Sequence, residues 1–144
     1  MHLNLRDSGL DGEGSLFVME AIMNTKLQLE FLDLSGSFSI FCGIFTVIFA
    51  FIVNIHIFQQ LTIFLKGNDI TADQCEIFAK LLNHSCMSQL KEIALDDNEI
   101  ESTGIILIAE SIIQSAKSHH LSHLESISVN CCEIASAGAF ALAR

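Results

Sequence analysis

"LKEIALDDNEIESTGIILIAESI", residues 90–112, carries two hydrophobic periods one after the other. Ile93 and Leu95 stand two apart, the spacing that puts side chains on one face of a strand. Gly104, Ile108 and Ala109 then follow at the three-to-four spacing of a helix face. Between the two periods lie Asn98 and Ile100. Taking Leu95 as origin, Leu90 falls at minus five and Ile93 at minus two. Asn98 falls at plus three, Ile100 at plus five, Gly104 at plus nine, and Ile108 and Ala109 at plus thirteen and fourteen.

Placed on Val129 in "LESISVNCCEIASAGAFALAR", the frame is filled by Leu124, Ile127, Cys132, Ile134, Gly138, Leu142 and Ala143. Placed on Leu5 in "LNLRDSGLDGEGSLFVMEAI", it finds Leu3, Ser8, Leu10, Gly14, Val18 and Ile22, with Met19 in the small-residue slot. A spacing that recurs in this way is the mark of a repeat architecture.

Each slot has a physical task. The apolar pair forms a short strand with one face inward, and the Asn or Cys at plus three occupies the bend where the chain leaves the strand, where an amide side chain satisfies backbone groups that stacking would otherwise bury unpaired. Glycine at plus nine, at Gly14, Gly104 and Gly138, permits either an unusual dihedral or a close approach where the helix begins. One unit cannot bury its own apolar face, so units must stack. The expected fold class is α/β, a leucine-rich-repeat solenoid of the ribonuclease-inhibitor-like, strand-plus-helix kind, truncated and carrying a hydrophobic insertion.

The insertion lies where the frame is placed on Leu34. Leu29 and Leu32 precede it correctly, but Ser37 and Ser39 occupy the slots of Asn and the aliphatic residue. If residues 37–67 are removed, "LEFLDLSG" joins "NDITADQCEIFAKLL", and Asn68, Ile70, Phe78, Ala79 and Leu82 fall into place, with Gln74 at the glycine slot. The organisation expected is therefore partial repeats over 1–36, an apolar insertion over 37–67, and repeats over 68–144. Within the insertion, 7 of the 11 Phe residues lie between Phe38 and Phe64, and Lys66 is its one charged residue.

Three origins of this block compete. Residues 38–57 are long and apolar enough to span a bilayer, although no basic cluster flanks them. The block could be a degenerate extra repeat, since Leu34 to Leu65 is 31 residues against 29 from Leu5 to Leu34. It could also be translated non-coding sequence, a retained intron: codons with a central U encode Phe, Leu, Ile, Met and Val, and 31 residues preserve the reading frame. Only the last explains why a repeat is whole once the block is removed.

The chain has 7 basic and 17 acidic side chains, a formal charge of −10. That balance disfavours nucleic acid, whose phosphates reward Lys and Arg, and favours a basic protein partner. Five cysteines at irregular spacing and no recognisable signal peptide fit a reducing compartment. Asn83-His84-Ser85 is then a chance glycosylation match.

With the block removed, "LSGNDIT" and "DNEIESTGIILIAE" resemble the carboxyl-side repeats of Ran GTPase-activating proteins, particularly the plant type. The resemblance implies a crescent of repeats that stimulates GTP hydrolysis by the small GTPase Ran in nucleocytoplasmic transport. It implies no arginine finger, no cofactor, no enzymatic chemistry of the chain's own, and a location in the cytoplasm, nucleus or nuclear envelope. The family relies on an asparagine in earlier repeats that has no match here, so no catalytic residue is assigned. The chain reads as a fragment: it starts inside one repeat, stops at Arg144 in another's helix, and contains neither Trp nor Pro, which the plant-type targeting domain requires. The alternatives are the repeat region of a nucleotide-binding receptor-like protein and, through 38–57 alone, a single-pass membrane protein.

Candidate partner-binding residues are the acidic side chains where strands leave for helices: Asp7, Asp69, Asp96, Asp97, Glu99, Glu101 and Glu133, with Asp11 and Glu13 beside them. Asn68, Asn98, Cys132, Gly14, Gly104 and Gly138 are the structural positions of the repeat. "GLDGEG", residues 9–14, is a poor phosphate loop, because Asp11 and Glu13 repel phosphate and no Lys follows. His119 and His123 would form a metal pair only on a helix and lack a third ligand. No metal is expected, and Cys131 and Cys132 have no partner base for nucleophilic catalysis.

Overall fold

The computed structural model describes residues 2–9, 30–36, 61–83, 85–119 and 121–144. Among the described residues, five strands, β1 (His2–Asn4), β2 (Phe31–Asp33), β3 (Leu61–Phe64), β4 (Leu90–Ala94) and β5 (Ser126–Ser128), form one sheet in sequence order. Every neighbouring pair is parallel. Among the described residues, α1 (Ala72–Leu82), α2 (Glu101–Lys117) and α3 (Ser136–Leu142) follow β3, β4 and β5, and a short 3-10 helix, Ser85–Gln89, leads into β4. The order of strands and helices, each unit beside the next, is that of an α/β repeat-like fold.

The slots of the sequence frame coincide from strand to strand. Leu3, Leu32, Ile63, Ile93 and Ile127, all at minus two, are successive register partners. At the next step the origin N–H groups of Leu5, Leu34, Leu65 and Leu95 donate to the carbonyls of Asp33, Phe64, Ala94 and Ser128 at 2.8 to 2.9 Å. The ladder runs on into the turns, where the N–H groups of Asp7, Gly36, Gly67 and Asp97 donate to Ser35, Lys66, Asp96 and Asn130. Backbone groups in the bends are thus paired between units, as burial requires.

The core lies between the sheet and the helices. Leu32, Leu34, Ile63, Leu65, Ile93 and Leu95 enter it from the strands, and Phe78, Leu82, Ile105 and Ile108 from the helices, each at most 1% exposed. Burying such a side chain contributes about 1.5–3 kcal/mol before entropy is counted. Helix α1 packs on α2 and α2 on α3. Gly104 and Gly138 sit at these helix contacts with ordinary dihedrals, so close approach is what their position requires. A Cβ on Gly104 would stand 2.9 Å from Cys75 Sγ and 3.1 Å from Ala72 Cα, and one on Gly138 would overlap Ile105 and Ile134. Gln74, in the third glycine slot, instead accepts the Thr71 N–H at 3.0 Å and caps the start of α1.

One irregularity departs from the frame. Leu61 stands four residues before Leu65, whereas Leu90 stands five before Leu95. A register shift at Leu61/Thr62 absorbs the difference: Leu61 pairs with Leu90 while Thr62 pairs with Glu92, leaving Lys91 as the extra residue of a bulge. Both leucines therefore point inward, 1% and 0% exposed.

Residues 61–67, which the sequence groups with the apolar block, form the central strand and its turn, and β2 pairs with that strand directly. Residues 37–60, including the bilayer-length stretch 38–57, lie outside the described residues, as do Asp11, Glu13, Gly14 and the rest of "GLDGEG" after Gly9. Among the described residues, no helix is long and apolar enough to cross a membrane.

Candidate functional site

Because the strands are parallel, their carboxyl ends share one edge of the sheet, and every described acidic candidate sits on it. Asp7 follows β1, Asp69 follows β3, Asp96, Asp97, Glu99 and Glu101 follow β4, and Glu133 follows β5. All are exposed except Asp96, which is half-buried. The backbone explains part of their chemistry. Asp7, Asp69, Asp97, Glu101, Cys131 and Glu133 have φ between 51° and 56°, and Gly9, Gly36 and Gly67 between 60° and 63°. This left-handed region costs most side chains energy; Gly tolerates it freely and Asp better than most. The plus-two slot is thus Asp7, Gly36, Gly67, Asp97 and Cys131, a conformational series rather than a chemical one.

The turns are held by the plus-three residues. Asn98 Nδ2 donates to the carbonyl oxygens of Leu65, Leu95 and Asp96, and its Oδ1 accepts the N–H groups of Asn68 and Ile70. Asn68 Nδ2 donates to Leu34 O at 3.1 Å, and Cys132 Sγ to Leu95 O at 3.2 Å. Each plus-three group therefore reaches the origin carbonyl of the preceding unit. Burial pushes the Cys132 thiol up from its ordinary value, so it serves here as a donor.

Asp96 and Asp97 have separate roles. Asp96 Oδ1 accepts from Ser128 Oγ at 2.6 Å and from Asn130 N at 2.7 Å, tying one turn to the next. Burial works against its charge, but these hydrogen bonds outweigh it and hold the carboxyl below the ordinary range. Asp97 Oδ2 pairs with Lys66 Nζ at 3.0 Å, and bonds from Lys66 and then Cys131 lower its pKa. The same Asp97 contact raises Lys66. Asp7 pairs with Arg6 Nε at 3.4 Å.

Spacing of the acidic residues did not point to the open face of the sheet, the side away from the helices. There Arg6, Phe31, Asp33, Phe64, Lys66 and Asp96 surround a depression of about 350 Å³. These residues stand one or three places from an origin, so strand alternation alone puts them opposite the core. That alternation was the available signal.

The remaining candidates stay apart. Helix α2 ends at Lys117, so His119 and His123 are not a helical pair, and His123 Nδ1 instead lies 2.8 Å from Ser88 O. Among the described residues no cluster of three or more His, Cys, Asp or Glu could hold a metal ion.

Residues 120–143, which span β5 and α3, match the leucine-rich repeat family model. The matched segment contains Leu124, Ile127, Cys132, Ile134, Gly138 and Leu142, the residues that fill the frame. The fold and this match define the class: an α/β repeat-like scaffold carrying a leucine-rich repeat, a module type suited to binding proteins. No curated protein matches the chain.

Proposed function

We propose that the repeats continue through the chain as a leucine-rich-repeat solenoid, and that it acts as a protein-interaction piece of a Ran GTPase-activating protein, binding a small GTPase of the Ran type without chemistry of its own. The observation that carries this is the acidic edge. Described carboxylates from four of the five units stand along one side of the sheet, in segments that include the two that resemble Ran GTPase-activating proteins. A row of like charge attracts a basic surface from a distance and orients it.

Binding of the full chain to Ran, Ras and Rho proteins, each loaded with a GTP analogue, tests the assignment. Preference for Ran, weakened by raised salt and by charge reversal at Asp97 and Glu99, is expected. Equal or absent binding to all three sinks it and leaves the receptor-like reading of the repeats.

A further inference from the structure

Phe31 and Phe64 meet on the open face of the sheet, with ring centroids 5.2 Å apart and planes at 52°. Phe31 also stacks on His2, 5.4 Å away at 16°. Both Phe residues are half-buried, and neither contributes to the core, which their neighbours Leu32 and Ile63 enter instead. The rings pack on each other across neighbouring strands, and both line a depression in the sheet face. Such rings are characteristic of binding surfaces.

The charges around the rings choose the ligand. Asp33, 8% exposed, and Asp96 line the depression together with Arg6 and Lys66. The two cations are already engaged, Arg6 by Asp7 and Lys66 by Asp97. Four carboxylates against two cations leave the locality negative. The hydrogen bonds from Ser35 N to Asp33 and from Ser128 Oγ and Asn130 N to Asp96 fall on Oδ1, and an ionised carboxylate has about four acceptor sites over its two oxygens. A volume of about 350 Å³ lies at the low end for ligand sites, room for one side chain rather than a cofactor.

We propose that this depression receives an arginine side chain of a partner protein, the guanidinium lying against the Phe31 and Phe64 rings and pairing with Asp33 and Asp96. Arginine suits it better than lysine, because its planar, weakly hydrated group stacks on aromatic faces while its edge donates to carboxylates. An anionic ligand would meet Asp33 and Asp96 together with two cations that already have carboxylate partners. The proposal rests on the protein-binding role of the scaffold and is independent of which protein binds.

The test is titration of the isotope-labelled full chain with the peptide acetyl-Gly-Ser-Arg-Ser-Gly-amide, and with versions carrying lysine, citrulline or glutamate in place of arginine, followed by amide resonances of β2 and β3. The arginine peptide is expected to bind most tightly. Phe31→Leu with Phe64→Leu, which keeps apolar bulk and removes the ring faces, is expected to weaken it about tenfold while the chain still unfolds cooperatively. Equal binding of citrulline, preference for glutamate, no response at β2 and β3, or undiminished binding by the double variant would each overturn the proposal. Failure of Ran to bind, by contrast, removes the proposed partner and leaves this pocket standing.

Discussion

Asn98 and Asn68 are joined across one repeat: Asn98 Oδ1 accepts the Asn68 backbone N–H at 2.9 Å, and both side chains are almost wholly buried, 3% and 4% exposed. Asn98 also accepts from Ile70 N and donates to Leu65 O, so a single amide satisfies groups in two units. Each buried polar group left without a partner costs about 1–3 kcal/mol. Asn98→Ala orphans several at once and is expected to lower the unfolding free energy by about 3 kcal/mol or more in urea titrations. Asn130→Ala, at an exposed position of the neighbouring turn, serves as the control and is expected to stay within about 0.5 kcal/mol. Similar losses for the two would show that water replaces the Asn98 contacts.

Gly104 and Gly138 make an opposite prediction to helix propensity. Alanine at an exposed helical site stabilises by up to about 1 kcal/mol relative to glycine. Here the new methyl would press on Cys75 and Ala72 across one helix contact, or on Ile105 across the other and on Ile134 of its own unit. Overpacking of this kind costs about 1–3 kcal/mol. Each substitution is therefore expected to lower the melting temperature, Gly138→Ala through its two isoleucine contacts and Gly104→Ala through the nearer backbone of α1. A rise in melting temperature for either would mean that the helices are not held at this separation.

Cys75 is buried in the core, and burial pushes its thiol from an ordinary value of 9.0 to about 12. The folded form keeps its proton where the unfolded chain has lost it. Stability from this group is therefore complete below pH 9 and falls as pH rises toward about 12. In iodoacetamide labelling at pH 8 read by peptide mass spectrometry, Cys131, which is exposed, is expected to react well before Cys75. Equal rates would place Cys75 outside the core.

Asp96 supplies the acid limb. Its folded pKa is lowered below an ordinary 3.8, so its contribution is present above that value and is lost as pH falls through the folded pKa. Asp96→Asn is expected to be less stable than the parent at pH 7, with the gap narrowing below pH 3.8. A gap independent of pH would assign the effect to geometry rather than charge.

The layers of this fold differ in how far the sequence reveals them. Leu32, Ile63, Ile93 and Ile127 recur because every unit meets the same neighbours, and the same constraint repeats Asn68 and Asn98 and the glycines 104 and 138. The bulge at Lys91 was hidden, since Leu61 and Leu90 break the spacing while occupying the same place. The acidic edge was legible as composition, but the left-handed turns behind it were not: Asp7, Gly36, Gly67, Asp97 and Cys131 share a dihedral and no chemical pattern. The open face was least legible. Its minus-one positions are Asn4, Asp33, Phe64, Ala94 and Ser128, and no backbone constraint acts on them, so they carry no period.

Excision of residues 37–67 tests what the apolar block is. Asp33 pairs with Phe64 and Leu32 with Ile63, so β2 and β3 present equivalent residues to their neighbours. After excision Leu34 takes the place of Leu65, Asn68 follows it at plus three, and the Leu34 carbonyl stands where Asn98 Nδ2 now finds Leu65. If the block interrupts one repeat, the shortened chain is expected to fold cooperatively, with α1, α2 and the Asn98 contacts protected from hydrogen exchange, and to be more soluble for losing an aggregation-prone stretch. A message lacking codons 37 to 67 would then be its natural template. A shortened chain without cooperative unfolding would instead make β3 a unit in its own right, and the 31-residue step from Leu34 to Leu65 a genuine repeat length.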